Sequence, residues 1–428
     1  MRSPKRTAGY EKEPPMDDSL TVFLTGNELG ALKPCGCSGG QLGGFDRRSA
    51  ILNAVPEDKR LIIDTGSFVN SDSEQDLIKY HIIIQALQLL DYDIVNLGEQ
   101  DIETGRNLGL LEGIESAFNI ISSYGTSEMN IPAKFTKEFS LKGRTVLFTI
   151  AAFDPESTPV AQIEELFALP SGMPSLNILI LSKSDPETIK SIANTAQFVD
   201  CVVCPSESDE PAVIGNPNRR PLAFTVGRFG RYVCGLKVTA PARVDQPLRL
   251  AFKAFEVKED LPKDESLVKL YEDYQQIVKE RNLLEKHPRF TLPNDLEYTG
   301  SKSCKPCHGY EYETWSNNPH AKAFSTLEQV NSQYDPECVV CHVIGMDYES
   351  GFISQQETGH LINVGCENCH GPGSEHILTA GATELTEPKS TCIDCHTPEQ
   401  SGDYAGNEDA FMEKIKHWRE PNAAGNVK

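Results

Sequence analysis

The sequence predicts an α/β layered sandwich over residues 20–257, followed by a mainly α domain of short segments over residues 300–428. Two observations carry this division. Up to residue 257, apolar runs of strand length alternate with amphipathic stretches, the pattern of strands and helices layered on one another. After residue 300 one five-residue pattern, Cys-x-x-Cys-His, occurs four times: Cys304/Cys307/His308, Cys338/Cys341/His342, Cys366/Cys369/His370 and Cys392/Cys395/His396.

Residues 1–19 hold Arg2, Lys5 and Arg6 and then only polar, Pro-rich sequence. They read as a disordered or processed N-terminus without the apolar core of an export signal. Ranges 20–25, 61–64 and 94–97 are short buried strands, with helices at 44–54 and 76–90 between them. Leu77, Ile84, Leu87 and Leu90 mark the apolar face of the second helix. Strands follow at 146–150, 176–181, 199–203, 222–226 and 249–257, range 232–238 is strand-like, and a helix at 186–196 separates two of them. Residues 258–299 form a helical linker. Its helix, 264–286, carries Leu267, Leu270, Tyr271, Tyr274, Ile277 and Val278 on one side and is closed by Pro288 and Pro293. No run of 18 or more apolar residues occurs, so no bilayer-spanning helix is predicted.

Each Cys-x-x-Cys-His pattern is a c-type haem attachment site. Two thiols add to the two vinyl groups of one porphyrin and the next imidazole turns onto the iron, which makes His308, His342, His370 and His396 the proximal ligands. Zinc knuckles and thioredoxin-like pairs also use Cys-x-x-Cys, but neither needs a His at the fifth place every time. Four haems within residues 300–428 leave roughly 32 residues for each. The macrocycles must then supply much of the core and lie close together, so the domain is read as a haem-packed multihaem cytochrome c. Covalent attachment takes place outside the cytoplasm. A periplasmic or extracellular location is therefore expected, and the visible start is expected to be a trimmed or misassigned one.

The formal charge is −22, from 40 Lys+Arg against 62 Asp+Glu. That balance disfavours nucleic acid and anionic membranes as partners and suits a redox protein with a basic docking face. The second axial ligand of each iron is sought among His, Met, Cys and Tyr. Outside the motifs the histidines are His81, His287, His320, His360, His376 and His417. His320, His360, His376 and His417 lie in the haem domain and are the distal candidates, with Met346 and Met412 as thioether alternatives. His81, on a helix, and His287, at a helix end before Pro288, are read as structural.

The stretch CKPCHGYEYETWSNNPHAKAF, residues 304–324, resembles the first-haem segment of the cytochrome c-554 family, in which a Trp and a His-Ala follow the first motif. CENCHGPGSEH and CIDCHTPEQS are similar to its later haem segments. Four motifs make four haem c groups, and the four non-motif histidines of the domain match bis-imidazole ligation in number. The resemblance implies that His320 and His376 ligate haems other than their own, with His417 as the third candidate. His360 departs from the family pattern, which leaves a five-coordinate second haem as an expectation.

Over residues 20–257 the order of elements resembles the calcineurin-like metallophosphoesterases, in particular the catalytic domain of periplasmic 5'-nucleotidases. The metal ligands of that family do not carry over. Asn27 and Leu29 stand where it has Asp-x-His, Ser67 replaces its bridging Asp, and Gly98-Glu99-Gln100-Asp101 replaces Gly-Asn-His-Glu. Lys183 stands for a His, and the closing Gly-His-x-His is replaced around Cys204-Pro205-Ser206-Glu207. Two-metal hydrolysis needs those N and O ligands, so phosphatase or nucleotidase activity is not expected. Glu28, Asp64, Glu99 and Asp101 are the carboxylates left to build any replacement.

Sulfur has appeared in exchange. By the same resemblance, Cys35 and Cys37, in a Gly-rich loop, and Cys201 and Cys204, at a strand end, point into one vestigial site, with Cys234 near. They would make a four-thiolate metal site or a redox-active thiol/disulfide centre; a structural disulfide or buried free thiols are the alternatives. The expected function is extracytoplasmic electron transfer to redox partner proteins. The alternatives are an oxidoreductase acting on a small sulfur or nitrogen compound at the thiols or an open haem, and a subunit of a haem filament.

Overall fold

Strands of the first half are apolar on one or both faces, and their pairing builds two sheets. The structure, a computed structural model, describes residues 19–34, 40–125, 131–167, 173–241, 243, 246–385, 392–397, 400–401 and 403–418. Among these residues the strands in chain order are β1 (Ser19–Thr25), β2 (Arg60–Asp64), β3 (Ile94–Asn96), β4 (Asn119–Ile121), β5 (Lys134–Leu141), β6 (Arg144–Phe153), β7 (Ser175–Leu181), β8 (Cys201–Cys204), β9 (Val213–Ile214), β10 (Leu222–Thr225), β11 (Tyr232–Thr239) and β12 (Arg249–Glu256). They form two six-stranded sheets, ordered β12-β11-β1-β2-β3-β4 and β5-β6-β7-β8-β10-β9.

Both sheets are mixed. β1 to β4 pair in parallel, as do β6, β7, β8 and β10, while β11, β12, β5 and β9 add antiparallel edges. Parallel neighbours need crossovers, and helices supply them: Phe45–Leu52 between β1 and β2, Glu74–Leu89 between β2 and β3, and Pro186–Thr195 between β7 and β8. Helix starts are fixed by side chains. Ser73 accepts from the Asp76 N–H, and Asp185 accepts from Glu187 and Thr188 with Pro186 in the first turn. Each cap contributes about 1 kcal/mol.

The period of two along each strand sorts residues between two layers. Leu20, Val22 and Leu24 of β1 meet Phe148 and Ile150 of β6, Ile178 and Ile180 of β7, and Leu236 of β11 in one core. The opposite faces of β7 and β8, through Leu179, Leu181 and Val202, pack on Ile163, Phe167 and Ile192 of the helical layer. Full burial of such a side chain is worth about 1.5–3 kcal/mol, so this core dominates the stability of the sandwich. The α/β layered sandwich expected from the sequence is the architecture observed.

The chain divides into two units. Among the described residues one unit comprises 19–34 and 42–271, and the other comprises 40–41 and 272–418. The division falls after Tyr271, inside the helix Glu265–Glu280, rather than at either end of the expected linker. Beyond that point the helix is built into the second unit. The Tyr274 hydroxyl bonds to Asp335 (3.0 Å), and the Gln275 amide donates to the Val330 carbonyl (2.8 Å) and to Ser332 (3.0 Å).

After that helix the described residues of the second unit form short helices, among them Gly309–Ser316, Ala323–Glu328, Cys366–His370, Ser374–Leu378 and Glu408–Ile415. A small apolar core of Leu284, Phe324, Val339, Ile344, Met346 and Phe352 lies beneath them. Met346 is 1 % exposed within it, which is a packing position. Among the described residues no helix is long and apolar enough to cross a membrane.

Candidate haem cluster and the polar pocket of the first unit

Each Cys-x-x-Cys-His pattern forms a tight turn. The His308 N–H bonds to the Cys304 carbonyl (2.9 Å) and the His396 N–H to the Cys392 carbonyl (2.8 Å), while Cys366–His370 is a short helix. Positions i, i+3 and i+4 of a helical turn share one face, so in Cys366–His370 both thiols and the imidazole lie on one side. The thiols also fall into pairs between motifs. Cys304 is hydrogen-bonded to Cys366, and Cys341 to Cys395.

Cys307 stands apart from the other seven motif thiols in its exposure. It is exposed, whereas Cys304, Cys338, Cys341, Cys366, Cys369, Cys392 and Cys395 are half-buried. The reason is local. Cys304 is turned inward onto Cys366, and the chain then leaves that corner through Lys305, Pro306, Cys307 and His308, all of them exposed. The first motif thus lies on the surface of the unit, with only its leading thiol inside.

Three imidazoles from outside the motifs stand opposite motif imidazoles. The ring centroids are 6.0 Å apart for His308 and His376, 6.3 Å for His320 and His396, and 6.1 Å for His370 and His417. With metal–imidazole bonds of about 2 Å on each side, two rings ligating one iron have centroids roughly 6 Å apart. All three gaps therefore fit an iron between the rings. Nδ1 of His376 donates to the Thr383 carbonyl (2.7 Å), Nδ1 of His417 to Ile415 (3.0 Å) and Nδ1 of His342 to Ala323 (2.7 Å). Those bonds leave Nε2 of each ring with its lone pair for a metal.

His320 is delivered from the segment after the first motif. The Trp315 indole N–H donates to the Val364 carbonyl (3.0 Å), and the Val364 N–H donates to the His320 carbonyl (3.1 Å). The remaining distal candidate stands elsewhere. His360 is exposed on the turn Gly359–Leu361, against Gly300, and is not brought to a motif imidazole by any ring contact among the described residues. Nor do the two histidines read as structural join the cluster. His287 pairs with Asp347 (2.7 Å), and His81 bonds to Gln85 within its own helix (2.6 Å).

Residues 303–371 match the family model described as cytochrome c554 and c-prime. A curated relative, cytochrome c-554 of Nitrosomonas europaea, is 33 % identical over 119 residues, which is 23 % of this chain and 51 % of the relative. The C-terminal unit resembles cytochrome c-554. The chain spans about half the length of that relative, 51 %. Cytochrome c-554 likeness implies covalently bound haem c and supports a multihaem electron carrier. Among solved structures, a 5'-nucleotidase precursor from Thermus thermophilus is 17 % identical with a TM-score of 0.44, covering 64 % of this chain and 61 % of that one. The sulfate thiohydrolase SoxB of the same genus and species is 13 % identical with a TM-score of 0.46, covering 62 % and 61 %.

Several residues around the c-554-like cluster carry no motif signal. Ser401 Oγ lies 3.1 Å from Nδ1 of His396, and the rings of Tyr404 and Phe411 pack on the same imidazole with centroids at 5.0 and 5.3 Å. Glu367 occupies a variable position of the third motif, so nothing in the pattern marks it.

In the first unit, a cavity of about 540 Å³ opens at the ends of the parallel strands, lined by Asn27, Ser67, Asn96, Gln100, Tyr124 and Cys204 among others. Its buried carboxylate is tied to protein partners. Asp101, pushed upward in pKa by burial, accepts from the N–H groups of Ser67 (2.8 Å), Phe68 (2.9 Å) and Gly98 (2.9 Å). Behind the cavity, Asp64 accepts from the Thr25 hydroxyl (2.8 Å) and the Gly66 N–H (2.9 Å), and Glu28 pairs with Arg48 at 3.0 Å. Burial raises the pKa of Asp64 well above the carboxylate range, and the neighbouring Glu28 adds to it. Glu99 is exposed at the rim, and Lys183 is exposed and pairs with Glu156. Among the described residues no group of three or more His, Cys, Asp or Glu could hold a metal. The donors at the cavity do not fit a pair of divalent cations, and no hydrolytic step follows from them.

The expected thiol cluster is corrected by the strand period. Cys201 and Cys204 are three residues apart on β8, so their side chains leave opposite faces of the sheet. Cys201 lies in the inter-sheet core with Cys234, whereas Cys204 packs toward the helical layer and borders the cavity. Cys35 and Cys37 lie outside the described residues. Burial pushes the thiols up, Cys204 to about 11 and Cys234 to about 12, and Cys201 further. At pH 8 a thiol of pKa about 11 is on the order of one part in a thousand thiolate. Site-resolved iodoacetamide labelling of the native protein at pH 8 is expected to leave Cys201, Cys204 and Cys234 unmodified over hours and to reach all three within minutes in urea. Rapid native labelling of Cys201 would remove it from the core.

Proposed function

We propose that the C-terminal unit holds four haem c groups and relays electrons outside the cytoplasm between partner proteins. The observation that carries this reading is the set of three imidazole pairs at 6.0–6.3 Å. Each joins residues distant in sequence, and no ordinary packing preference calls for three such pairs beside Cys-x-x-Cys turns. In this reading His308 and His376 hold the first iron, His370 and His417 the third, and His396 and His320 the fourth, while His342 is the proximal ligand of the second. When bound, haem supplies a one-electron Fe(III)/Fe(II) couple.

The chain's own residues do the rest. The eight motif cysteines anchor the groups, and the Nδ1 bonds to backbone carbonyls orient the rings and raise their basicity. Exposure of Cys307 is compatible with its part in this, because a thioether needs reach to a vinyl carbon and not burial. Contact of Cys304 with Cys366 and of Cys341 with Cys395 supports stacking of the first group on the third and the second on the fourth. An electrostatic contact between Cys369 and Cys395 supports passage from one pair to the other. The first unit, whose cavity lacks a cation-binding donor set among the described residues, serves as scaffold or docking platform. A charge of −22 supports a donor or acceptor with a basic face.

Intact mass and pyridine haemochrome analysis of the holo protein test the reading. Four covalently added haems per chain are expected, with at least three in low-spin bis-imidazole form by magnetic circular dichroism. A chain without covalent haem, or one with zinc bound at the motif cysteines, would overturn it.

A further inference from the structure

Glu367 is 3 % exposed, and its carboxylate is held by the Thr299 N–H (3.0 Å), the Gly300 N–H (2.7 Å), the Gly373 N–H (2.7 Å) and the Thr299 hydroxyl (3.3 Å). All four donors are neutral. Among the described residues no Lys, Arg or His forms an ion pair with it, so its charge is oriented by dipoles and not cancelled. It follows Cys366 directly in the third motif and acts electrostatically on both Cys304 and Cys366, the thiols where the first and third motifs meet. A bond to the Ser301 hydroxyl from the Cys366 N–H (3.1 Å) fixes the same corner.

We propose that Glu367 is a buried anion that lowers the reduction potentials of the first and third haems relative to the second and fourth. The inference rests on haem c being carried at these motifs. An oxidised haem carries one more positive charge than a reduced one, so a fixed anion nearby favours the oxidised form. Water cannot screen a charge at this depth. At an effective dielectric constant of about 20 and a separation of about 10 Å, one charge changes the reduction equilibrium on the order of tenfold. The field also gives the relay a direction, since electrons entering at the first or third group run downhill toward the second and fourth. Lowering by a caged carboxylate is a separate device from the axial ligands, which are the same imidazole type in the first, third and fourth groups.

The test is a spectroelectrochemical titration of the full holo chain, with dithionite as reductant and ferricyanide as oxidant, on the parent, Glu367→Gln and Glu367→Asp. Haem count and low-spin signature are recorded for each. Glu367→Gln is expected to raise two of the four components by about tenfold in the reduction equilibrium, about 59 mV for a one-electron couple. Glu367→Asp, which keeps the charge while disturbing the packing, is expected to leave them near the parent values. Unchanged potentials in a fully loaded low-spin Glu367→Gln protein, or equal shifts in both variants, overturn the inference. Should Glu367→Gln not load haem, Thr299→Val decides: removing one dipole that screens the carboxylate is expected to move the same two components down, and no move or a rise overturns it. A parent chain with fewer than four haems would instead sink the reading on which the inference stands.

Discussion

Replacing His376 by Ala is expected to convert one haem of the four from low-spin to high-spin and to leave the spectra of the others in place. His376 stands 6.0 Å from His308, with its Nδ1 committed to the Thr383 carbonyl, so Nε2 is the nitrogen left with a lone pair for an iron. Without it, that iron keeps a single protein ligand and gains an exchangeable position. One quarter of the haem beyond what the parent binds is then expected to bind carbon monoxide when reduced. The same change at His320 or His417 is expected to open the fourth or the third group, because those imidazoles stand 6.3 Å from His396 and 6.1 Å from His370. Changing His360 to Ala is expected to alter nothing in the low-spin signal, since its ring lies exposed beside Gly300. Magnetic circular dichroism of the four variants reads all of this at once. A low-spin signal lost with His360 and kept with His376 would reverse the ligand assignment.

Much of this was legible in the sequence, and the limits of legibility are physical. The four motifs could be read because Cys, Cys and His must sit within one turn, so their chemistry is local. Depth is not local, and the motif pattern could not tell the exposed Cys307 from its seven half-buried counterparts. β2 and β7 could be read because they are almost wholly buried, which requires unbroken apolar runs. Lys134–Leu141 carries KFTKEFSL and gives no such run. Only Phe135, Phe139 and Leu141 face the core, its other face is polar, and its strand state comes from pairing with β6. Which distal imidazole meets which motif is a long-range fact: His376 is 68 residues from His308, and no local pattern records their meeting. The thiol grouping failed for the opposite reason. Cys201 and Cys204 are close in sequence, yet the strand period sends them to different layers. Glu367 was silent because its importance lies in three backbone N–H groups, and backbone donors leave no trace in residue identity.

Changing Arg48 to Met is expected to destabilise the first unit by about 3–5 kcal/mol. Arg48 is 1 % exposed, and its guanidinium donates to Glu28 (3.0 Å) and to the Tyr92 hydroxyl (3.0 Å), while Tyr92 also bonds to Thr25 (2.7 Å). Two buried carboxyl groups, Glu28 and Asp64, lie in reach of this one cation, and Oε2 of Glu28 has no hydrogen-bond partner among the described residues. Deleting the cation leaves both carboxyl groups in a low-dielectric interior, where they must either take up protons or bring in water. The double change Arg48→Met with Glu28→Gln is expected to cost less than the single one, because a neutral amide needs no counter-charge. Urea unfolding followed by far-UV circular dichroism checks both. A single variant as stable as the parent, or a double variant worse than the single, would mean that Arg48 does not neutralise this cluster. The expected order would instead show that Glu28 and Asp64, two of the carboxyl groups left at the strand ends, depend on the Arg48 charge to be held in the interior.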